Sequence, residues 1–276
     1  MPVKVALLVL FCLMVIGAVH FAQPRASEER RAPTDTSHSV RLLTWNIGYA
    51  ELEDDTRAHD KDLPAIAELI LKEDPDAVAL QELTGTQQLN TLVGLLKGKY
   101  RGAVAQWSKL DRLEAVLAKD PSAQFVQIVV GDRNTVGTQF KAHDGMPKLL
   151  LISVHADAFN AAKRRAYTEA LINFTERHQE RWPFPVFIAG DFNFELKAAK
   201  QTNLYTDNLK HDSESYSNIL SHFKDLGRSA GDTAINDRRI DYIFGPPQAT
   251  PGRVEVLRTA AVGRMDHWPL LIEVEP

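Results

Sequence analysis

The sequence predicts an α/β protein, a layered sandwich in which strands outnumber helices. Apolar runs of strand length recur from Val40 to the C-terminus, and helical spacing recurs between several of them. Residues 101–154 are a series of short apolar runs separated by Asp, Asn, Gly and Pro, which reads as antiparallel strands. Helices inserted among strands settle as layers on a sheet. At 276 residues, 44% hydrophobic and 25% charged, the chain can bury one large core.

The chain opens differently. Lys4 precedes "VALLVLFCLMVIGAV", an unbroken apolar run over residues 5–19. Such a run reads as an export signal or a membrane anchor, at the upper length limit of the first and short for the second. Ala22 has His20 and Ala26 has Pro24 at the third position before a cut, so no good cleavage site follows and the balance tips to an uncleaved anchor. Residues 1–22 are therefore expected to be a signal peptide or membrane anchor. Residues 23–39, polar and without a hydrophobic period, form a flexible linker, and residues 40–276 form the domain. The expected location is outside the cytoplasm, membrane-anchored or secreted. Cys12, the one cysteine, lies in the apolar run, so no disulfide staples the domain.

Within the domain, "VRLLTWNI" is a β-rich run ending in Asn46, followed by "DLPAIAELILKE", with helical spacing at Leu63, Ile66 and Ile70 and Pro64 in the first turn. "DPDAVALQEL" gives a turn and a strand ending in Gln81 and Glu82, and "TQQLNTLVGLLKG" is helix-like. "AVAQW", "LEAVLAK", "QFVQIVV" and "KLLLISV" are the antiparallel runs. Residues 160–180 form a long helix on which the "KRR" of Lys163 to Arg165 reads as a solvated face. "PVFIAGDFNF" is a strand and its end, and an irregular polar stretch precedes the closing strands "RIDYIF", "RVEVLRT" and "HWPLLIEV".

The strand ends collect Asn46, Glu82, His155, Asp191 with Asn193, Asp241, and Asp266 with His267. Nearly all are metal ligands or proton carriers. Asp191 and Asn193, one residue apart, would share a face of an extended segment, although Gly, Asp and Asn also build turns. Gly190 would let the strand end come close to a substrate. Brought to one edge, these groups offer hard oxygen ligands suited to Mg²⁺ or Mn²⁺, while zinc would want more His or Cys. Hydrolysis of a phosphodiester needs a deprotonated water, a cation for charge on the phosphorus oxygens and a proton for the leaving group. A His with a carboxylate partner supplies the base, and the strand ends contain both residue types.

"TWNI", "LQEL", "VHADAF", "GDFNF", "RRIDYIF" and "MDHWPLL" occur in the order and at roughly the intervals of the endonuclease/exonuclease/phosphatase superfamily, which the chain resembles over about residues 40–274. The resemblance implies a four-layered α/β/β/α sandwich of two mixed, mostly antiparallel sheets. It also implies that Asn46 and Glu82 bind the metal, with Asp266 near the same ion. Asp191 and Asn193 would position the water and hold the phosphate, His267 would be the base oriented by Asp241, and His155 the second histidine. Glu114 would be a carboxylate behind His155. Met265 stands where the family usually has Ser, which removes one hydroxyl beside the Asp-His pair.

Net charge is −4; residues 1–26 carry Lys4 and Arg25 and no acid, so the rest of the chain stands at −6. Such a domain is not globally built to grip a polyanion. The acidic run at residues 51–55 would repel a long phosphate backbone. The expected activity is metal-dependent phosphodiester hydrolysis, with an endonuclease, a small-molecule or lipid (sphingomyelinase-like) phosphodiesterase, and a non-catalytic binding protein as competing readings. Nucleic acid remains a candidate partner without a basic stripe to receive it, and membrane contact would come through the N-terminal segment.

Overall fold

The computed structural model describes residues 39–48, 56–106, 112–131, 133–181, 183–200, 208–258 and 265–276. The expected leader and linker, Ser39 apart, lie outside the described residues, as does the acidic run at 51–55. In chain order the elements are β1 (Val40–Asn46), α1 (Thr56–Glu73), β2 (Ala77–Leu83), α2 (Thr86–Leu95), β3 (Arg101–Val104), β4 (Leu113–Ala118), β5 (Gln124–Val130) and β6 (Arg133–Phe140). They continue with β7 (Leu149–His155), α3 (Ala161–Arg181), β8 (Val186–Asp191), α4 (Leu209–Leu220), β9 (Lys224–Asp225), β10 (Asp241–Gly245), β11 (Thr250–Val256) and β12 (Leu270–Glu275).

The strands form two six-stranded sheets, β11-β12-β1-β2-β4-β3 and β5-β6-β7-β8-β10-β9. β1 with β2 and β7 with β8 are parallel, and the other pairs are antiparallel. Side chains alternate between the faces of a strand, and the alternation sorts the apolar residues into three large cores. Leu43, Trp45 and Leu80 meet Leu63, Ile66 and Ile70 of α1 and Leu92 of α2. Leu42 and Ala79 meet Leu151, Phe187 and Ile243 between the sheets. Ile152, Ile188 and Phe244 meet Tyr167 and Leu171 of α3 and Ile219 of α4. The order is helices, sheet, sheet, helices. Central strands buried on both faces read as continuous apolar runs, which explains the runs in the sequence.

Several expectations need correction. Helix α1 begins at Thr56, so Pro64 lies inside it and not in its first turn. The early turns are polar and show no apolar period. The helix tolerates the missing N–H because Leu63, Ile66 and Ile70 anchor it on the sheet. Strand β6 and helix α4 were not expected. β6 reads "RNTVGTQF", too polar to be marked as a strand, and the buried positions of α4 include Asp212 and Ser215. The "KRR" run is a solvated face only in part. Lys163 and Arg165 are exposed, but Arg164 is fully buried, its Nε and Nη2 donating to Asp212 at 3.0 and 3.1 Å. Among the described residues, no helix is long and apolar enough to cross a membrane.

Candidate active site

Alternation and register assemble the site. On β1 the face toward the other sheet carries Leu42, Thr44 and then Asn46; on β7 it carries Leu151, Ser153 and then His155. On β8 it carries Phe187, Ala189 and then Asp191, and β10, antiparallel to β8, begins on that face with Asp241 before Ile243. Asp191 pairs in register with both His155 and Asp241. These four residues therefore continue the inter-sheet core to one edge, where the apolar side chains stop. Just beneath them, Gln81 donates to Ser153 Oγ at 3.0 Å across the sheets, and Ser153 Oγ donates to the Leu80 carbonyl at 2.9 Å.

The carboxylates and imidazoles converge there. His267 places Nδ1 2.8 Å from Asp241 Oδ2 and Nε2 3.7 Å from Asp191 Oδ2. His155 Nε2 lies 3.6 Å from Glu82 Oε1 and 3.8 Å from Asp191 Oδ2. Asn46 Nδ2 donates to Asp191 Oδ2 at 3.1 Å and to Glu82 Oε1 at 3.2 Å, while its Oδ1 accepts the Gly48 N–H at 2.9 Å. Asn46 thus turns its nitrogen to the carboxylates, where a cation would require its oxygen. Arg112 donates to the other oxygen of Glu82.

Two site residues sit in left-handed backbone, Glu82 at φ 64° and Asn193 at φ 53°. Strain of this kind is a recurrent feature of functional sites. It also corrects the extended reading of Asp191 and Asn193. Asp191 Oδ1 accepts the Asn193 N–H at 2.8 Å, a turn, while Oδ2 faces the cleft. Asn193 Nδ2 donates to the Ala156 carbonyl at 3.1 Å, and Phe192 and Phe194, fully buried on either side, fix the turn. Gly190 serves the neighbouring strand and not a substrate: a Cβ at its φ of 152° would lie 1.9 Å from the Val154 carbonyl oxygen.

The electrostatics are those of too many carboxylates in one place. Burial raises the Asp191 carboxyl, with Asp241 adding to the rise and His267 and His155 opposing it. Burial also raises Asp266, where His267 favours the charge and Glu82 and Asp191 oppose it. Burial would raise Glu82 too, yet His155, Arg112, Asn46 and His267 outweigh it and hold that carboxyl below its ordinary range. Burial alone would lower His267, but Asp241, Asp266 and Asp191 hold it well above the usual histidine range. Asp191, Asp241 and His267 offer ligand atoms within 4.8 Å of one another, but the His267–Asp241 contact is already a hydrogen bond. The oxygen-rich side, with Glu82, Asp191 and Asp266 repelling one another, is the part that a hard divalent cation fits.

Glu114 is fully buried in β4, with no hydrogen-bond partner on either oxygen, and burial pushes it up to about 8. His155 Nδ1 is likewise buried without a partner. Met265 packs in the core with Leu257 and Trp45, and Trp45 Nε1 donates to the His267 carbonyl at 3.2 Å, so the missing serine is replaced by packing. Asp157 accepts the Phe159 N–H locally and pairs with Arg133, 24 residues away in sequence. Arg133 also holds the His155 carbonyl at 3.0 Å. Sequence reasoning passed over both Arg133 and Arg112, whose partners lie 22 to 30 residues away in sequence and leave no local pattern.

The model of the Endonuclease/Exonuclease/phosphatase family matches residues 43–263, well over half of the chain. The chain belongs to this family. Solved structures agree on the fold. The family protein from Bacteroides vulgatus superposes with a TM-score of 0.64 at 18% identity, covering 86% of this chain and 98% of that one. The mannosyl-6-phosphatase of Bacteroides thetaiotaomicron gives 0.65 at 17% identity, over 85% and 99%. The human Nocturnin catalytic domain, with bound sulfate, gives 0.63 at 17%, over 86% and 93%. No curated protein matches the chain at a significant level. Family members of this fold are hydrolases of phosphoester bonds, and this member retains a buried Asp/Asp/His cluster at the strand edge.

Proposed function

We propose that the chain is a divalent-metal-dependent phosphoesterase that hydrolyses a small phosphodiester by attack of an activated water. The observation that carries this reading is His267 held by Asp241 at 2.8 Å with its other nitrogen turned toward Asp191. His267 takes the proton from water, Asp241 fixes its tautomer and steadies the imidazolium, and Asp191 Oδ2 orients the water. Asn193 and His155 hold phosphate oxygens; Glu114, expected behind His155, makes no hydrogen bond to its Nδ1 and takes no part in the step. Glu82 and Asp266 would hold Mg²⁺ or Mn²⁺, joined by Asn46 only when its amide turns Oδ1 from the Gly48 N–H toward the ion; when bound, the cation offsets negative charge on the phosphate and on the carboxylates that keep His267 protonated.

Net acidity favours a small substrate over a long polyanion. The resemblance in fold to a mannosyl-6-phosphatase is consistent with that choice. Endonuclease action is the second reading, favoured by His155 beside Glu82 and Asp191. The apolar run at residues 5–19 supports a location outside the cytoplasm.

The test is a panel of bis-aryl phosphate, aryl monophosphate, sphingomyelin, plasmid DNA and RNA, each with Mg²⁺, Mn²⁺ or EDTA. Metal-dependent cleavage of a small ester with intact plasmid is the expected result. Nicked plasmid would select the nuclease. No turnover, together with no Mn²⁺ uptake by calorimetry, would leave a binding protein on an enzyme fold.

A further inference from the structure

Arg112 stands immediately before β4 and donates to Glu82 Oε2, while Asn46 holds Oε1 of the same carboxylate. Its side chain is 30% exposed, so it sits at the mouth of the cleft and not in the core. Glu82 packs directly against Gly48, where a Cβ would lie 2.0 Å from Oε2, so a side chain at that position would displace the carboxylate. Among the described residues, three other cations are engaged elsewhere. Arg133 holds Asp157 and the His155 carbonyl, Arg239 forks onto both oxygens of Asp225, and Lys197 pairs with Asp232.

The role of Arg112 rests on the phosphoesterase reading, which puts a divalent cation on Glu82. Arg112 would then share one carboxylate with two further positive charges. That repulsion exceeds what a partly exposed ion pair returns. A guanidinium at a cleft mouth, freed from its carboxylate, is a planar fork matched to a tetrahedral oxyanion.

We propose that Arg112 is the substrate-anion anchor of this site, neutralising Glu82 while the site is empty of metal and gripping a non-bridging phosphate oxygen once the carboxylate is engaged. Arg112 reaches the site through Glu82, while His267 is held by Asp241, so the arginine is assigned the phosphate and the His267–Asp241 pair the attacking water. A single arginine anchor of this kind suits one compact phosphate group, not a long backbone.

The experiment is calorimetry on the full chain in two steps, Mn²⁺ into protein and then inorganic phosphate into the Mn²⁺-loaded protein, for wild type, Arg112→Gln and Arg112→Lys. The expected result is unchanged or tighter Mn²⁺ binding by Arg112→Gln, with phosphate affinity down by about tenfold or more and only partly restored by Arg112→Lys. Wild-type phosphate affinity in Arg112→Gln would overturn the proposal. Weaker Mn²⁺ binding by Arg112→Gln would also overturn it, showing that the guanidinium merely props Glu82. Failure of the wild type to take up Mn²⁺ would overturn the phosphoesterase reading as well.

Discussion

Glu114 lies in β4 with both carboxylate oxygens buried and unpartnered, pushed up to about 8 by desolvation. In the unfolded chain it releases its proton near the ordinary glutamate value of 4.5. Between those two values the folded chain keeps a proton that the unfolded chain has lost. Stability from this group is therefore fully present below the lower value and declines as pH rises toward the upper one. Urea unfolding of the wild type from about pH 5 to about pH 8 should lose stability on the order of a few kcal/mol from this source. Glu114→Gln should remove that part of the slope. Equal slopes in both proteins would mean that the carboxyl is ionised and solvated at neutral pH. The same residue shows the limit of reading by type: the sequence places a carboxylate behind His155 by resemblance, but its protonation follows from burial in a cross-sheet core that no local pattern encodes.

Among the elements, helices α3 and α4 are clamped by Arg164 and Asp212, whose side chains are both fully buried. Arg164→Met should cost about 3–5 kcal/mol in urea unfolding, because it leaves the Asp212 charge buried without its guanidinium. The double variant Arg164→Met/Asp212→Leu should recover most of the loss. A single-variant cost below about 1 kcal/mol would place the pair among ordinary surface ion pairs. This clamp bears on why α4 was illegible in the sequence: its buried positions include Asp212 and Ser215, so its buried face is not an apolar stripe. Strands β1, β2, β7, β8 and β10 were legible because they are buried on both faces and carry a polar residue at or next to one end. β6 was not, because Asn134, Thr135, Thr138 and Gln139 break its apolar run.

Across the molecule, one edge of a two-sheet sandwich gathers residues from β1, β2, β7, β8, β10 and the segment before β12. These residues could be read from the chain because each adjoins an apolar strand, but Asp241 begins β10 and Asp266 and His267 precede β12, so these three stand at or before the start of their strands and not after them. The contacts of Arg112, Arg133 and Gly190 between neighbouring strands, and of Gln81 across the sheets, could not, since they depend on register. The proposed chemistry stands or falls on His267 as a base within a metal-dependent site. That role is tested by the rate of bis-aryl phosphate hydrolysis in saturating Mn²⁺ for wild type, His267→Ala and His267→Gln, with melting curves recorded alongside. The expected result is a fall of about 10²–10⁴ in kcat for both variants with Mn²⁺ still bound. Wild-type turnover by either variant, folded and metal-loaded, would contradict it.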